Sequence, residues 1–311
     1  MRSSKWFRSA TGPAASTARF RRGAAKRGRA GTFSVVARHR TDMVSIDEKR
    51  VYGDKVGETT AYVASGQGVA SVSVSDDLVG QYGIDHACTA LDVAARDGQL
   101  AVATPTDVLV KDENEYDPVG FGPAVGVAFD GDALLAVGPD WSVARATETG
   151  EWTTVGSADT PVRAASGDLV AAEDGVYRVR GDDLSHTGLD DARDVSAAGT
   201  PFAATGDGIY ALGAGWMEQT GGEFTAVDAD RDVPPGEPGR AHAATPETLY
   251  EHDGGDWSPV EVPISRRVAG VAYADDAVYA VAGDGTFLAD AGDGWRSQPL
   301  GVTEVGGIAV P

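Results

Sequence analysis

The chain has 311 residues, of which 42% are hydrophobic, and 41 of them are glycines. This length allows one large β domain or two ordinary domains, and the many glycines favour short strands and tight turns. The formal net charge of −21 argues against nucleic acid or anionic membranes as partners of the main body, because its own field repels them. No apolar run approaches the ~18 residues that a membrane-spanning helix needs.

The charge is unevenly distributed along the chain. Residues 1–42 carry eleven lysines and arginines against one acid, Asp42, whereas residues 43–311 carry 15 basic and 46 acidic residues. So acidic a body repels itself unless salt screens it, and at molar salt the Debye length falls to about 3 Å. This lysine-poor, acid-rich composition therefore predicts a halophilic protein with an acidic surface.

Residues 1–42 form a separate segment in composition. Basic residues occur without a following apolar stretch, so the segment does not read as a secretory signal. We predict a disordered basic tail, or an extension upstream of a natural start at Met43. A basic arm that binds nucleic acid or anionic surfaces is the functional alternative. The folded domain is predicted to cover residues 43–311.

Cys88 is the single cysteine of the chain. An intrachain disulfide is therefore impossible, and a reducing compartment is compatible with the sequence. We expect a cytoplasmic protein.

The segment Gly167–Arg180 contains a clear hairpin pattern. Two apolar runs, 169–172 and 176–179, flank Glu173-Asp174-Gly175. An Asp-Gly pair between such runs is a strong hairpin signal, because a type I′ turn needs positive φ at both central residues. We therefore predict a hairpin that turns at Asp174-Gly175.

The same turn followed by a short apolar strand recurs seven times. Successive apolar markers are separated by 39, 35, 33, 33, 40 and 38 residues and are Val69, Val108, Val143, Val176, Ile209, Leu249 and Phe287. An aromatic or large apolar residue after a later turn follows in phase in six units, as at Trp152, Trp257 and Trp295. Seven units of this length predict an all-β, seven-bladed β-propeller with four strands in each blade.

A strand of small residues precedes most of these hairpins. The last copy, 305–310, ends the chain without a hairpin after it, while the first hairpin lacks such a strand before it. We predict that the C-terminal strand completes the first blade, which closes the ring without an open sheet edge. In the sixth unit the prolines of 234–238 occupy the expected place of the small-residue strand, so we expect that strand to be broken or looped out.

These repeats, with the acidic and lysine-poor composition, resemble the haloarchaeal β-propeller proteins of unassigned function. The turns at 253–257 and 292–295 are loosely similar to the Asp-box turn of sialidase-type propellers. The full Ser-x-Asp-x-Gly-x-Thr-Trp pattern occurs nowhere in this chain, so the resemblance does not imply sialidase chemistry.

Motifs that carry chemistry are weak. His86 and Cys88 alternate on a predicted strand, as a metal site or a nucleophile would allow, but no third ligand is nearby, so the favoured interpretation is a turn histidine and a buried cysteine. The acidic run 228–232 resembles the start of a calcium loop, yet Val233 and Gly239 stand where an EF-hand needs Gly and Glu. No dinucleotide fingerprint or phosphate loop is present. Catalytic residues, metal ligands and cofactors remain unknown at this stage.

Two functions follow from this sequence. The first is a non-catalytic scaffold that binds a protein or a ligand at one end of the propeller channel, since fold alone never fixes activity. The second is a metal-dependent hydrolase or lactonase that uses carboxylates lining the channel, with Asp92 and Asp130 as candidates. Both aspartates are equally explained as turn-forming residues.

Overall fold

In a computed structural model the described residues are 58–75 and 77–311. The predicted basic tail, 1–42, lies outside them.

The described residues form twenty-eight strands. In chain order, the strands of the first four blades are β1 Glu58–Ser65, β2 Gly68–Ser75, β3 Leu78–His86, β4 Asp92–Arg96, β5 Gln99–Ala103, β6 Val108–Asp112, β7 Glu115–Pro118, β8 Gly126–Asp130, β9 Ala133–Val137, β10 Ser142–Ala146, β11 Trp152–Ser157, β12 Val162–Ser166, β13 Leu169–Ala172, β14 Gly175–Arg180 and β15 Asp183–Gly188. The remaining strands are β16 Ala192–Ser196, β17 Phe202–Thr205, β18 Gly208–Leu212, β19 Trp216–Gly221, β20 Ala226–Ala229, β21 Arg240–Ala244, β22 Leu249–Asp253, β23 Ser258–Val260, β24 Val268–Tyr273, β25 Val278–Ala282, β26 Thr286–Asp290, β27 Arg296–Pro299 and β28 Gly307–Ala309.

The strands form seven antiparallel sheets of four strands each, which confirms the predicted seven-bladed propeller. Blade 1 has the order β28-β1-β2-β3, with Ala309 opposite Tyr62 and Gly307 opposite Ala64. Blades 2 to 7 each take four consecutive strands, from β4–β7 to β24–β27. The C-terminal strand therefore closes the first blade, as predicted.

The repeat places all inner strands in the same direction around the axis, so the ring has two distinct faces. We call the face where the inner strands begin the amino face and the face where they end the carboxyl face. Because each blade is antiparallel, the turn between its second and third strands, such as that after β13, lies on the amino face.

The hairpin of blade 4 differs by one residue from its prediction. Ala172 pairs with Gly175, so Glu173 and Asp174 form the two-residue turn, and neither has a positive φ. Gly175 has φ +131, and a Cβ there would lie 2.3 Å from the carbonyl oxygen of Leu189. Glycine is thus required at the start of β14 by close backbone packing, rather than at the centre of the turn.

The core lies between neighbouring blades. Val143 of blade 3, for example, belongs to one buried cluster with Val170 and Tyr177 of blade 4. The tryptophans of the repeat pack in these junctions: Trp257 contacts Phe202 of blade 5 edge to face, and Trp295 contacts His242 of blade 6 in the same way. These two rings therefore cover junctions between blades.

The prediction for the prolines of the sixth unit is wrong. The inner strand β20 is intact, and residues 234–238 lie in the loop between β20 and β21. Ala226–Ala229 supplies the small residues that an inner strand needs. The prolines therefore lie outside the paired strands, where no amide hydrogen bond is required of them. The loop contacts blade 5, where the Gly236 amide donates to the Gly199 carbonyl at 2.7 Å.

Candidate functional site

A cavity of about 1260 Å³ runs along the axis of the ring. All seven inner strands line it, mostly with small residues such as Ala94, Ala164 and Gly270. Small side chains are needed there because the strands converge on the axis. The cavity is therefore a direct consequence of the closed ring, and the few larger polar residues in it determine its chemistry.

Two aspartates on opposite sides of this channel have the same geometry. Asp92 of blade 2 accepts hydrogen bonds from the amides of Val93 at 2.8 Å and of Val127, in blade 3, at 3.0 Å. Asp194 of blade 5 likewise accepts from Val195 and from Val227 of blade 6, both at 2.9 Å. Each carboxylate thus joins its own inner strand to the next one.

Burial deep in the channel raises the pKa of both carboxyls. The pKa of Asp92 rises to about 6 and that of Asp194 to about 7, and in each case the backbone hydrogen bonds oppose the effect. The negative charges of Asp228 and Asp92 add to the increase at Asp194. The lumen is consequently a site where neutral pH leaves carboxyl groups poised between two protonation states.

Asp228 lies beside Asp194 on the neighbouring inner strand. Its Oδ1 accepts a hydrogen bond of 2.9 Å from the Ser196 hydroxyl of blade 5. Burial raises the pKa of Asp228, and the charge of Arg231 opposes this increase. In the same acidic run, Asp230 accepts a hydrogen bond from the amide of Asp232 at 3.0 Å. Asp228 and Asp230 thus have separate hydrogen-bond partners, and in the described part of the chain they do not converge on a calcium site.

Arg231 crosses the channel at the carboxyl face. From blade 6 its guanidinium donates to the carbonyl of Ala95 in blade 2 at 2.9 Å and to that of Val310 in blade 1 at 3.2 Å. The side chain therefore spans nearly the full width of the ring. It narrows the lumen at this end, where lining residues that follow the inner strands, such as Gly98, Gly167 and Pro235, also lie.

A buried histidine stands behind the channel wall. His242 is fully buried, and its Nδ1 lies 2.5 Å from the hydroxyl of Tyr273, whose side chain lines the lumen. Burial and the charge of Arg240 lower the pKa of His242 to about 3, so the imidazole is neutral. Burial raises the pKa of Tyr273, which keeps its hydroxyl protonated. The two side chains therefore form a hydrogen bond between uncharged groups, which holds Tyr273 in the channel wall.

Asp92 and Asp130 both line the cavity, but they lie at opposite ends of their inner strands, and His86 and Cys88 are not among its lining residues. Asp130 forms an ion pair with Arg145 within blade 3, whereas Asp92 is held by backbone amides. His86 stacks on the ring of Tyr116 at 4.5 Å, and Cys88 packs against the core of blades 1 and 2, where burial raises its thiol pKa.

Within the described part of the chain, no three His, Cys, Asp or Glu side chains converge to hold a metal ion. The donor set of the channel thus does not fit a metal centre built from Asp92 and Asp130. Sequence reasoning named Asp92 but missed Asp194 and Arg231. Asp194 had a usable signal, since Asp-Val occurs at both 92–93 and 194–195 in inner strands.

Among the residues that the structure describes, there is no helix long and apolar enough to cross a membrane.

Comparisons with solved structures agree with the architecture. A chain of the nidogen–laminin complex matches 81% of this chain and 98% of its own length at 10% identity, with a TM-score of 0.55. The computationally designed protein Ika8 matches 81% of this chain and 91% of its own at 15% identity, with a TM-score of 0.54. YCF48 bound to D1 peptide matches 68% and 82% at 16% identity, with a TM-score of 0.50. Such low identities show a shared fold alone.

A search of curated proteins finds no match to this sequence. A family model described as "Beta-prop_HVO_0234:-like, beta propeller" matches residues 45–311. Because that match spans well over half of the chain, the protein belongs to this β-propeller family.

Proposed function

We propose that the protein is a non-catalytic scaffold that binds a cationic ligand, either a small molecule or a basic protein segment, in the channel. The observation that carries this proposal is the pair Asp92 and Asp194. Both face a lumen of about 1260 Å³, and their hydrogen-bond donors are backbone amides rather than basic side chains. In the described part of the chain no basic side chain pairs with either aspartate, so a ligand with positive charge supplies their countercharge.

The charge of the whole propeller favours the same class of ligand. Residues 58–311 contain twelve lysines and arginines against forty-three aspartates and glutamates. A field of this sign concentrates cations and repels anions at the mouth of the channel. A bound cation also favours the ionised carboxylates, so binding is expected to release protons near neutral pH.

Calorimetric titration with spermidine tests this proposal. The double variant Asp92→Asn/Asp194→Asn should bind at least tenfold more weakly than the wild type. A control with the same change of net charge, Asp256→Asn/Asp293→Asn, alters two exposed residues far from the lumen and should bind normally. Equal weakening by both double variants would show that spermidine senses only the overall charge.

Metal analysis of the protein purified without chelator distinguishes this scaffold from the alternative function, a metal-dependent hydrolase or lactonase. One equivalent of tightly bound calcium, zinc or manganese would contradict the non-catalytic scaffold.

We also include adaptation to high salt and a cytoplasmic location in the proposal. If the charge composition reflects such adaptation, the melting temperature should increase steeply between low and molar KCl.

A further inference from the structure

The outer strand of blade 1 differs from the other outer strands of the ring. β3 has nine residues, whereas the outer strands of the other six blades have three to six. Three of those six contain proline, at Pro118, Pro259 and Pro299. Short length, proline and charge are the features that protect exposed sheet edges. β3 has no proline and no charged residue from Leu78 to Ile84, so among the described outer strands it lacks all three of these features, and only bulges in its ladder with β2, at 69/70 and 72/74, interrupt its edge.

This strand also exposes large apolar side chains. Leu78 is 57% exposed, and Tyr82 and Ile84 are each 46% exposed. Within the described part of the chain, these are three of the five large hydrophobic residues with such exposure. Tyr82 and Ile84 are two residues apart on a regular stretch of the β2–β3 ladder, so they lie on the same face.

A small cleft lies on that face. It has a volume of about 200 Å³ and is lined by Tyr82, Ile84 and Ala70 of blade 1 together with Leu300 and Val302, which follow β27. Gln298 of β27 donates to the Tyr82 hydroxyl at 3.1 Å and fixes the ring at the border of the cleft. The cleft is mainly apolar and is wide enough for one aliphatic side chain.

We propose that β3 receives an extended segment of a partner protein as a fifth strand of blade 1, with apolar residues at alternate positions and basic residues between them. The free backbone groups of β3 select an extended chain, and the cleft selects an apolar side chain on every second residue. The excess of forty-three acidic over twelve basic residues in 58–311 selects basic residues on the other face of the segment. The same charge disfavours a second copy of this protein, because two acidic bodies would then meet.

Hydrogen exchange of the full chain tests this proposal directly. The probe is a blocked peptide of sequence Arg-Val-Arg-Ile-Arg-Val-Arg, added at the lowest salt at which the protein remains folded. Exchange of the outward-facing β3 amides, which do not bond to β2, should slow at least tenfold in the presence of the peptide. Ile84→Glu should abolish this protection. Met217→Glu is the matched control, since Met217 is 56% exposed on β19, the outer strand of blade 5, and this variant should leave protection unchanged.

A second peptide separates strand addition from charge attraction. The same sequence with alternate amides methylated keeps its side chains and charge but cannot complete a ladder, so it should give no protection of β3. Leu78→Glu provides an independent variant on the same edge if Ile84→Glu does not fold. The proposal is overturned if the methylated peptide protects equally, if Ile84→Glu has no effect, or if the outward-facing β3 amides, which do not bond to β2, are already protected in the free protein. Self-association that Ile84→Glu removes would assign the edge to a second copy and also overturn the proposal.

Discussion

The lumen and the rim of the propeller both use an aspartate to join neighbouring blades, but the partners differ. In the lumen, Asp194 accepts hydrogen bonds from two backbone amides, one of them in the next blade. At the rim, Asp85 of β3 pairs with Lys111 and accepts a hydrogen bond of 2.8 Å from Tyr116, both in blade 2. Lys111 also lies 4.8 Å from the ring centroid of Tyr62.

These two environments shift the carboxyl pKa in opposite directions. Burial raises the pKa of Asp194 to about 7, because amide dipoles do not fully replace the lost water. Burial also raises the pKa of Asp85. Hydrogen bonds from Lys111 and Tyr116, together with the charge of Lys111, outweigh this effect, so the pKa of Asp85 lies below its usual value. A nearby countercharge, rather than depth alone, thus decides whether an aspartate in this protein is held ionised.

The largest effect is expected from removing the carboxylate in the lumen. Asp194→Ala leaves the amides of Val195 and Val227 without their acceptor, and each loss costs about 1–3 kcal/mol when water does not replace it. Because the lumen admits some water, we expect a decrease of about 2–4 kcal/mol in the free energy of unfolding, measured with urea. Asp256→Ala, on the surface, should change it by less than about 0.5 kcal/mol. A smaller decrease for Asp194→Ala than for Asp85→Ala would contradict the structural importance of the backbone bridge.

The pH dependence of stability should distinguish the two regions. Asp92 and Asp194 have raised pKa values in the folded state, so their contribution is complete below about pH 4 and is lost as pH rises to about 7. Asp85 has a lowered pKa, so its contribution is present above about pH 4 and is lost as pH falls through the folded-state value. We therefore expect the free energy of unfolding to decrease between pH 4 and pH 7 because of the lumen pair.

Thermal unfolding from pH 3 to pH 8 measures these contributions. Asp194→Asn should flatten the loss of stability between pH 4 and pH 7, while Asp85→Asn should flatten only the loss at lower pH. If both variants changed the same part of the profile, the opposite assignment of the two carboxyls would be wrong.

Removing the cation at the rim should have a moderate effect. The Lys111 side chain is 15% exposed, and Lys111→Met would lose the ion pair with Asp85 and the contacts with two tyrosine rings. We expect a decrease of about 1–2 kcal/mol in the free energy of unfolding, because the site is partly shielded from solvent. Lys111→Arg retains the charge and should restore more than half of this loss. An Arg variant as unstable as the Met variant would indicate that packing, not charge, dominates the rim.

The smallest effect is expected at the carboxyl end of the lumen. Arg231→Met removes two hydrogen bonds to carbonyl groups that water can reach from the channel, so we expect a loss of about 1 kcal/mol. The variant should also raise the pKa of Asp228, because the charge of Arg231 opposes the effect of burial there. Carbon NMR of the Asp228 carboxyl measures this pKa, with Arg180→Met on the exposed surface of blade 4 as the control. An unchanged pKa would mean that Arg231 acts on the channel only through its contacts with blades 1 and 2.

The repeat made the fold predictable. Strands, turns and blade junctions depend on residues close in sequence, so the spacing of Val176, Ile209 and their equivalents indicated seven blades before any contact was known. The turn of blade 4 was displaced by one residue, because the need for Gly175 comes from the approaching backbone of Leu189. The prediction of a break in the inner strand of blade 6 was wrong for a related reason. The proline loop follows β20, and only the pairing of β20 with β21 shows where the strand ends and the loop begins.

The sequence by itself determined the seven repeats, the closure by the C-terminal strand, and the excess of acidic residues. Tertiary structure alone decided which acids share the lumen and which pair at the rim. Asp92 and Asp194 are 102 positions apart, and Arg231 reaches a carbonyl in β4, 136 residues away. Such contacts arise only when the ring closes, because closure sets the distance across the axis and removes water from the groups that meet there.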